Sequence, residues 1–200
     1  MAFSYYMNME VISLENATEH VEKMTNSNTV DYDEYICDDE KLLNNLKNGW
    51  IVAVSMCNYL ESFLNTILRD CIHYDKENLM KASIDDKIEI IYLYYKKDFS
   101  NTKSKDGWAK FKELNKLRNN LIHYKINFLG YGTDVPSKWE NKLNGFDLFT
   151  KNKMLDFINK ICELAKDIAQ DLHLIINDKV STIICDGKDI NVSYVTTKIY

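Results

Sequence analysis

The sequence predicts an all-α fold: a bundle of four helices with long first and last members, followed by a small C-terminal β-hairpin. Three observations lead there. With 46% hydrophobic residues, 28% charged, one Pro and six Gly in 200 residues, the chain is globular and lacks the turn punctuation of an all-β protein. Apolar residues recur at helical spacing in four segments, and β-branched alternation is concentrated near the C-terminus. At 23.5 kDa the chain is long enough to bury a sizeable core. It reads as a single domain over 1–200, with the bundle in 38–177, a hairpin in 178–200 and a strand plus short helix in 1–37.

The N-terminal stretch Phe3 to Ile12 is the candidate strand, and Leu14, Ala17, Val21 and Met24 mark the short helix. Asp38 is the expected N-cap of the first long helix, about Asp39 to Ile72. Its stripe is Leu42, Leu43, Leu46, Ala53, Met56, Leu60, Phe63, Leu64, Ile67, Leu68 and Cys71. Gly49 is expected to bend it. Ser83 starts the second helix, with Asp86 as its capping-box partner and Ile88, Ile91, Tyr92 and Tyr95 along its length. Asp98 to Asp106 reads as a polar loop. Asp106 caps a third helix whose stripe is Trp108, Phe111, Leu114, Leu117 and Leu121, continuing to about Lys125.

From Ile126 to Phe149 helical periodicity stops, and Gly130, Gly132, Pro136 and Gly145 indicate a long irregular connection of the kind that covers or shapes a site. Thr150 caps the fourth helix, whose buried side is Met154, Phe157, Ile158, Ile161, Ala165, Ile168, Leu172 and Ile175. The runs Val180 to Cys185 and Ile190 to Val195 flank Asp186-Gly187-Lys188-Asp189, a turn signal for the hairpin.

Composition also narrows function. A net charge of −5 gives no long-range field toward nucleic acid, so a phosphate ligand must be held locally. No apolar run approaches a membrane span, and Met1 to Thr25 lacks a signal peptide's pattern, so a cytoplasmic location without membrane contact is expected. Five cysteines without a C-x-x-C spacing read as reduced, buried thiols. No metal-binding, P-loop or dinucleotide motif is present, and neither metal nor cofactor is expected. His20 and His173 read as isolated surface or core histidines. Cys71 and His73 point to different sides of one helix, too far apart around it for a nucleophile and base.

The third helix carries the chemistry. Asn115, Asn119, His123 and Asn127 recur at i+4 and form a polar stripe, while Arg118 is ringed by Leu114, Leu117, Leu121 and Ile122. A guanidinium in that collar calls for an anion: a carboxylate such as Glu61, or a phosphate. Arginine is scarce, Arg69 and Arg118 alone, so a planar fork here is itself a signal. A histidine can take a 2′-hydroxyl proton near neutral pH, and an arginine can neutralise a phosphorane, which together constitute metal-free RNA cleavage. Two copies facing each other would supply separate acid and base.

Arg118-Asn119-Asn120-Leu121-Ile122-His123 resembles the R-x4-6-H motif of HEPN domains (higher eukaryotes and prokaryotes nucleotide-binding), including the polar residue after the arginine. The long first helix with Tyr59-Leu60-Glu61-Ser62-Phe63-Leu64-Asn65 is also similar, and the resemblance spans about Asp39 to Asn177. It implies a HEPN-like four-helix bundle, a homodimer with both motifs in one cleft, and a metal-independent ribonuclease acting as a toxin or defence effector. An antitoxin or regulatory protein is a further implied partner. Arg118, His123 and Asn119 are then the catalytic candidates. Lys116, Lys125 and Asn115, with Lys112, are candidates for RNA contact, and Glu61 and Tyr124 for support. Some HEPN toxins carry a modifiable tyrosine two positions after the histidine; here Tyr124 is adjacent and Lys125 holds that place. The alternative reading is a non-catalytic helical dimerisation module, with Arg118 paired internally to Glu61.

Overall fold

A computed structural model describes residues 9–26, 40–72, 81–123, 149–174, 182–185 and 188–191. Its described part is predominantly a helical bundle. In chain order the elements are α1 (Met9–Glu22), α2 (Glu40–Thr66), a π-helical turn (Ile67–Cys71) extending α2, α3 (Ile84–Tyr94), α4 (Ser100–Lys103), α5 (Asp106–His123) and α6 (Lys151–Asp171). Thr182–Cys185 (β1) and Lys188–Asn191 (β2) pair antiparallel, with Cys185 opposite Lys188 and Thr182 opposite Asn191. The second strand therefore starts at Lys188, two residues before the β-branched run at Ile190.

The long apolar stripe of α2 runs through the middle of the bundle. Val52, Ala53, Met56, Leu60, Phe63, Leu64, Ile67 and Leu68 are all fully buried, against Phe111 and Leu114 of α5 and Phe157, Ile158, Ile161 and Ile168 of α6 among others. Leu43–Arg69 is long and apolar enough to cross a membrane by composition, but most of it lies inside the fold. A run of rings, Tyr92, Phe99, Trp108 and Phe111, with neighbouring centroids 4.8 to 5.6 Å apart and the Phe99–Trp108 pair edge-to-face, closes the end of the bundle near α3.

Four expectations are corrected. Met9 to Ile12 belong to helix α1, not to a strand, and α1 packs along α2 more extensively than any other helix pair among the described residues. Its moderate apolar content hid this: the buried face includes Glu10, Ser13 and Thr18, of which Thr18 donates to the Leu14 carbonyl and Glu10 accepts from the Thr66 hydroxyl. The stretch Asp98 to Asp106 contains the single turn α4, introduced by Asp98, whose carboxylate accepts from the Ser100 N–H and hydroxyl. Leu43, placed in the α2 stripe by periodicity, is exposed instead, while Gly49 on the same helix makes room for Phe149: a Cβ there would lie 2.2 Å from Phe149 Cδ1. Thr150 occupies the N-cap of α6, but its side chain makes no capping bond. The Thr25 carbonyl and Asn26 Oδ1, just beyond α1, accept from the N–H groups of Lys151 and Asn152 at 3.0 and 2.8 Å.

The end of α1 is in turn fixed by asparagines of α2. Asn45 accepts from the Thr25 N–H and donates to its carbonyl, Asn44 donates to the Lys23 carbonyl, and Asn48 Oδ1 accepts from His20 Nδ1 at 2.8 Å. Helices α3 and α6 both stop at residues with positive φ, Lys96 at 53° and His173 at 55°. The following N–H groups return to carbonyls five residues back, Lys97 to Tyr92 and Leu174 to Ala169, closing each helix by the Schellman pattern. That ends α6 before Ile175.

Asp38, Phe3 to Asn8, His73, Tyr124, Lys125, the connection from Ile126 to Leu148, and Ile175 lie outside the described residues, as do the side chains of Leu42, Cys71, Asn120, Leu121, Ile122 and His123.

Candidate functional site

Helix α5 begins at Asp106 and presents Trp108, Phe111, Leu114 and Leu117 to the core. Gly107 lets its first turn approach α6 closely, because a Cβ there would lie 2.8 Å from the Lys160 carbonyl oxygen. Ion pairs of Lys110 with Asp156 and of Lys105 with Asp167 border the same seam. The helix that carries the candidate motif is thus tied to α6 at its start, and the motif occupies its last two turns.

Arg118 is half-buried there. Its Nε and Nη2 both donate to Asn119 Oδ1, at 3.2 and 2.9 Å. Cys57 on α2 is buried, and burial pushes its thiol up to about 11, outweighing the lowering influence of the Arg118 charge. Cys57 is therefore neutral near pH 7, without thiolate character. Of five guanidinium N–H donors, the bonds to Asn119 engage one on Nε and one on Nη2.

The expected carboxylate is committed elsewhere. Glu61, one turn beyond Cys57 on α2, accepts from Lys87 Nζ at 2.6 Å, and the Lys87 side chain is completely buried while Glu61 is 36% exposed. No ion pair joins Arg118 to a carboxylate among the described residues. An anion in the apolar collar is not required because Arg118 keeps partial solvent access and a neutral oxygen acceptor. Lys87 and Cys57 are the residues that the motif alone did not reveal. Lys87 was visible in principle: it is three residues from Ile84 and four from Ile91, on α3's buried stripe, and a lysine there calls for a carboxylate.

The polar stripe is only partly as expected. Asn119 is half-buried and orients Arg118, but Asn115 has its Oδ1 buried without a hydrogen-bond partner, an orientation unlike that of a surface RNA contact. Lys116 is exposed. Lys112 bonds both carboxylate oxygens of Asp85, at 2.9 and 3.0 Å, and lies over the Trp108 ring. The backbone of His123 closes α5, five residues after Arg118.

No protein-family model, curated protein or solved structure matches the chain. Its site is therefore read from its own residues. What those residues offer is a guanidinium oriented by a neutral amide, with a histidine in the same helix, and on α2 a carboxylate neutralised by a buried lysine. Among the described residues, no three His, Cys, Asp or Glu side chains converge as a metal site.

Proposed function

We propose that the chain is a metal-independent endoribonuclease of HEPN type, a toxin or defence effector whose site is completed by two copies. The observation that carries this reading is the state of Arg118. Asn119 orients the guanidinium without neutralising it, and Glu61 is held by Lys87. A fork presented in this way suits a phosphate, which accepts two parallel N–H bonds.

In the proposed reaction, His123 takes the proton from a ribose 2′-hydroxyl and the freed oxygen attacks the adjacent phosphorus. Arg118 neutralises the phosphorane, and the second copy's histidine protonates the departing 5′-oxygen. The products are a 2′,3′-cyclic phosphate and a 5′-hydroxyl. The purified chain is expected to cleave RNA in EDTA with those ends, at a rate that falls on dilution below the dimer dissociation constant, and His123→Ala is expected to abolish cleavage with the melt unchanged. Absence of cleavage, or cleavage equal in His123→Ala, would sink the proposal.

The non-catalytic module has one observation in its favour: Lys112, a candidate for RNA contact, is spent on Asp85. On that reading the purified chain still forms the dimer and cleaves nothing.

A further inference from the structure

Helix α3 buries one side, Ile84, Lys87, Ile88, Ile91 and Tyr92, and turns Asp86, Glu89, Leu93 and Tyr94 to solvent. Leu93 is 78% exposed, more than any other large apolar residue among the described residues, and Tyr94 beside it is 56% exposed. Ile90, partly buried, precedes them by three and four residues, the spacing that gathers all three on one side of a helix. They form one apolar patch in the last turn, which calls for a partner more than scattered apolar residues do.

Charge is graded along the same side. Asp86 and Glu89 lie toward its start, and Lys96 and Lys97 follow its end. Glu89 enters no ion pair among the described residues. Lys97 Nζ bonds a neutral ring nitrogen, His173 Nε2 at 3.2 Å, which leaves its positive charge uncompensated. Leu93 is the midpoint of this gradient, four residues after Glu89 and four before Lys97.

We propose that the outer face of α3 is a self-association surface for a second copy of this chain, lying antiparallel across a two-fold axis close to Leu93. Each Leu93 then meets its counterpart, and Glu89 of either copy comes level with Lys97 of the other. A two-fold contact requires a self-complementary face of this kind, whereas a parallel copy would set like charges together. One helix face is smaller than the roughly 1,600 Å² of a stable interface, so the association is weak, with a dissociation constant of about 100 μM.

This contact is separate from one that joins two motifs. Lys112 meets Asp85 in the first turn of α3, while Trp108 is linked to Tyr92 through Phe99, so α5 runs antiparallel to α3 and carries Arg118 past its start. Leu93 lies at the opposite end. The inference therefore does not rest on the nuclease reading.

Sedimentation equilibrium of the full-length protein, from about 10 μM to about 1 mM, should show the contact as an association step. Leu93→Ser, at a side chain with little burial to lose, is expected to remove that step and leave the melting temperature unchanged. Glu89→Lys and Lys97→Glu are each expected to weaken it about tenfold, because both pairs become like-charged. An equimolar mixture of these two variants has opposite charges at both pairs again and is expected to associate within about threefold of wild type, which a surface meant for a different partner would not do. A mass independent of concentration, a Leu93→Ser protein that associates like the wild type, or a mixture no tighter than its components would overturn the inference. Recovery in the mixture, with a wild-type protein that cleaves no RNA, would support it and refute the nuclease reading alone.

Discussion

Replacing Arg118 by lysine separates recognition of an anion from support of the fold. The arginine makes two bonds to one neutral oxygen, at 3.2 and 2.9 Å. A lysine keeps the charge and most of the aliphatic stem, and its single ammonium can still donate to that oxygen. The loss to stability is therefore about one hydrogen bond to an uncharged partner, or ~1 kcal/mol. In a chain this size that lowers Tm by roughly 2–4 °C.

Catalysis is expected to suffer far more. Two donors converging on a phosphorane become one mobile donor, and losing one such contact costs about a hundredfold in rate, roughly 2.7 kcal/mol. Circular-dichroism melts paired with single-turnover cleavage of an RNA, at a temperature where both proteins are fully folded, measure the two effects separately. The reasoning fails if Arg118→Lys melts about 10 °C lower while cleaving at the wild-type rate. That result would make Arg118 a structural residue with a partner stronger than Asn119.

Two further outcomes test the packing and its electrostatics. Gly49→Ala places a methyl group 2.2 Å from Phe149 Cδ1 and 3.2 Å from Met24 Cε, so overpacking of about 1–3 kcal/mol should exceed the ~1 kcal/mol that alanine gains in a helix interior. Urea denaturation should show a net loss, and a stability equal to or above wild type would contradict the close approach. Burial raises the thiols of Cys57 and Cys162 from 9.0 to about 11 and about 12, so their contribution to stability is present below about pH 9 and is lost as pH rises toward those values. Denaturation midpoints should fall between about pH 8 and pH 10.5, with both thiols inert to a disulfide reagent in the native state at the lower pH; an unchanged midpoint would refute this.

Those elements whose causes are local could be read from the sequence. Ser83 and Asp86 form the expected capping box, with the Ser83 hydroxyl accepting from the Asp86 N–H and the Asp86 carboxylate accepting from the Ser83 N–H. The stripes of α2, α5 and α6 are buried where periodicity places them from Ala53 to Leu68, from Trp108 to Leu117 and from Met154 to Leu172, whereas Leu43 near the start of α2 is exposed. Helix α1 was undervalued because three polar residues share its buried face, and hydropathy periodicity cannot register satisfied polar groups. Thr150 was found at the right position for the wrong chemical reason, since the groups that cap α6 come from residues more than a hundred positions earlier. In the site, Arg118 and Asn119 were legible as neighbours. The partner of Glu61 was not, because choosing between two cations requires knowing which helix lies across from it.

The relay of helix ends gives residues 9–26 a meaning that the motif on α5 does not convey. Asparagines of α2 fix the chain leaving α1, and that chain supplies the acceptors for the first turn of α6, while Lys151 reaches back to Glu22 at 2.9 Å. The stretch that resembles a known module begins only at Asp39, and transplanting that stretch alone would carry along a helix whose opening turn had been left without its acceptors. The portable unit of this protein is thus larger than its recognisable one: grafts, fusions and deletions should keep α1 and treat the residues around Thr25 and Asn26 as part of α6.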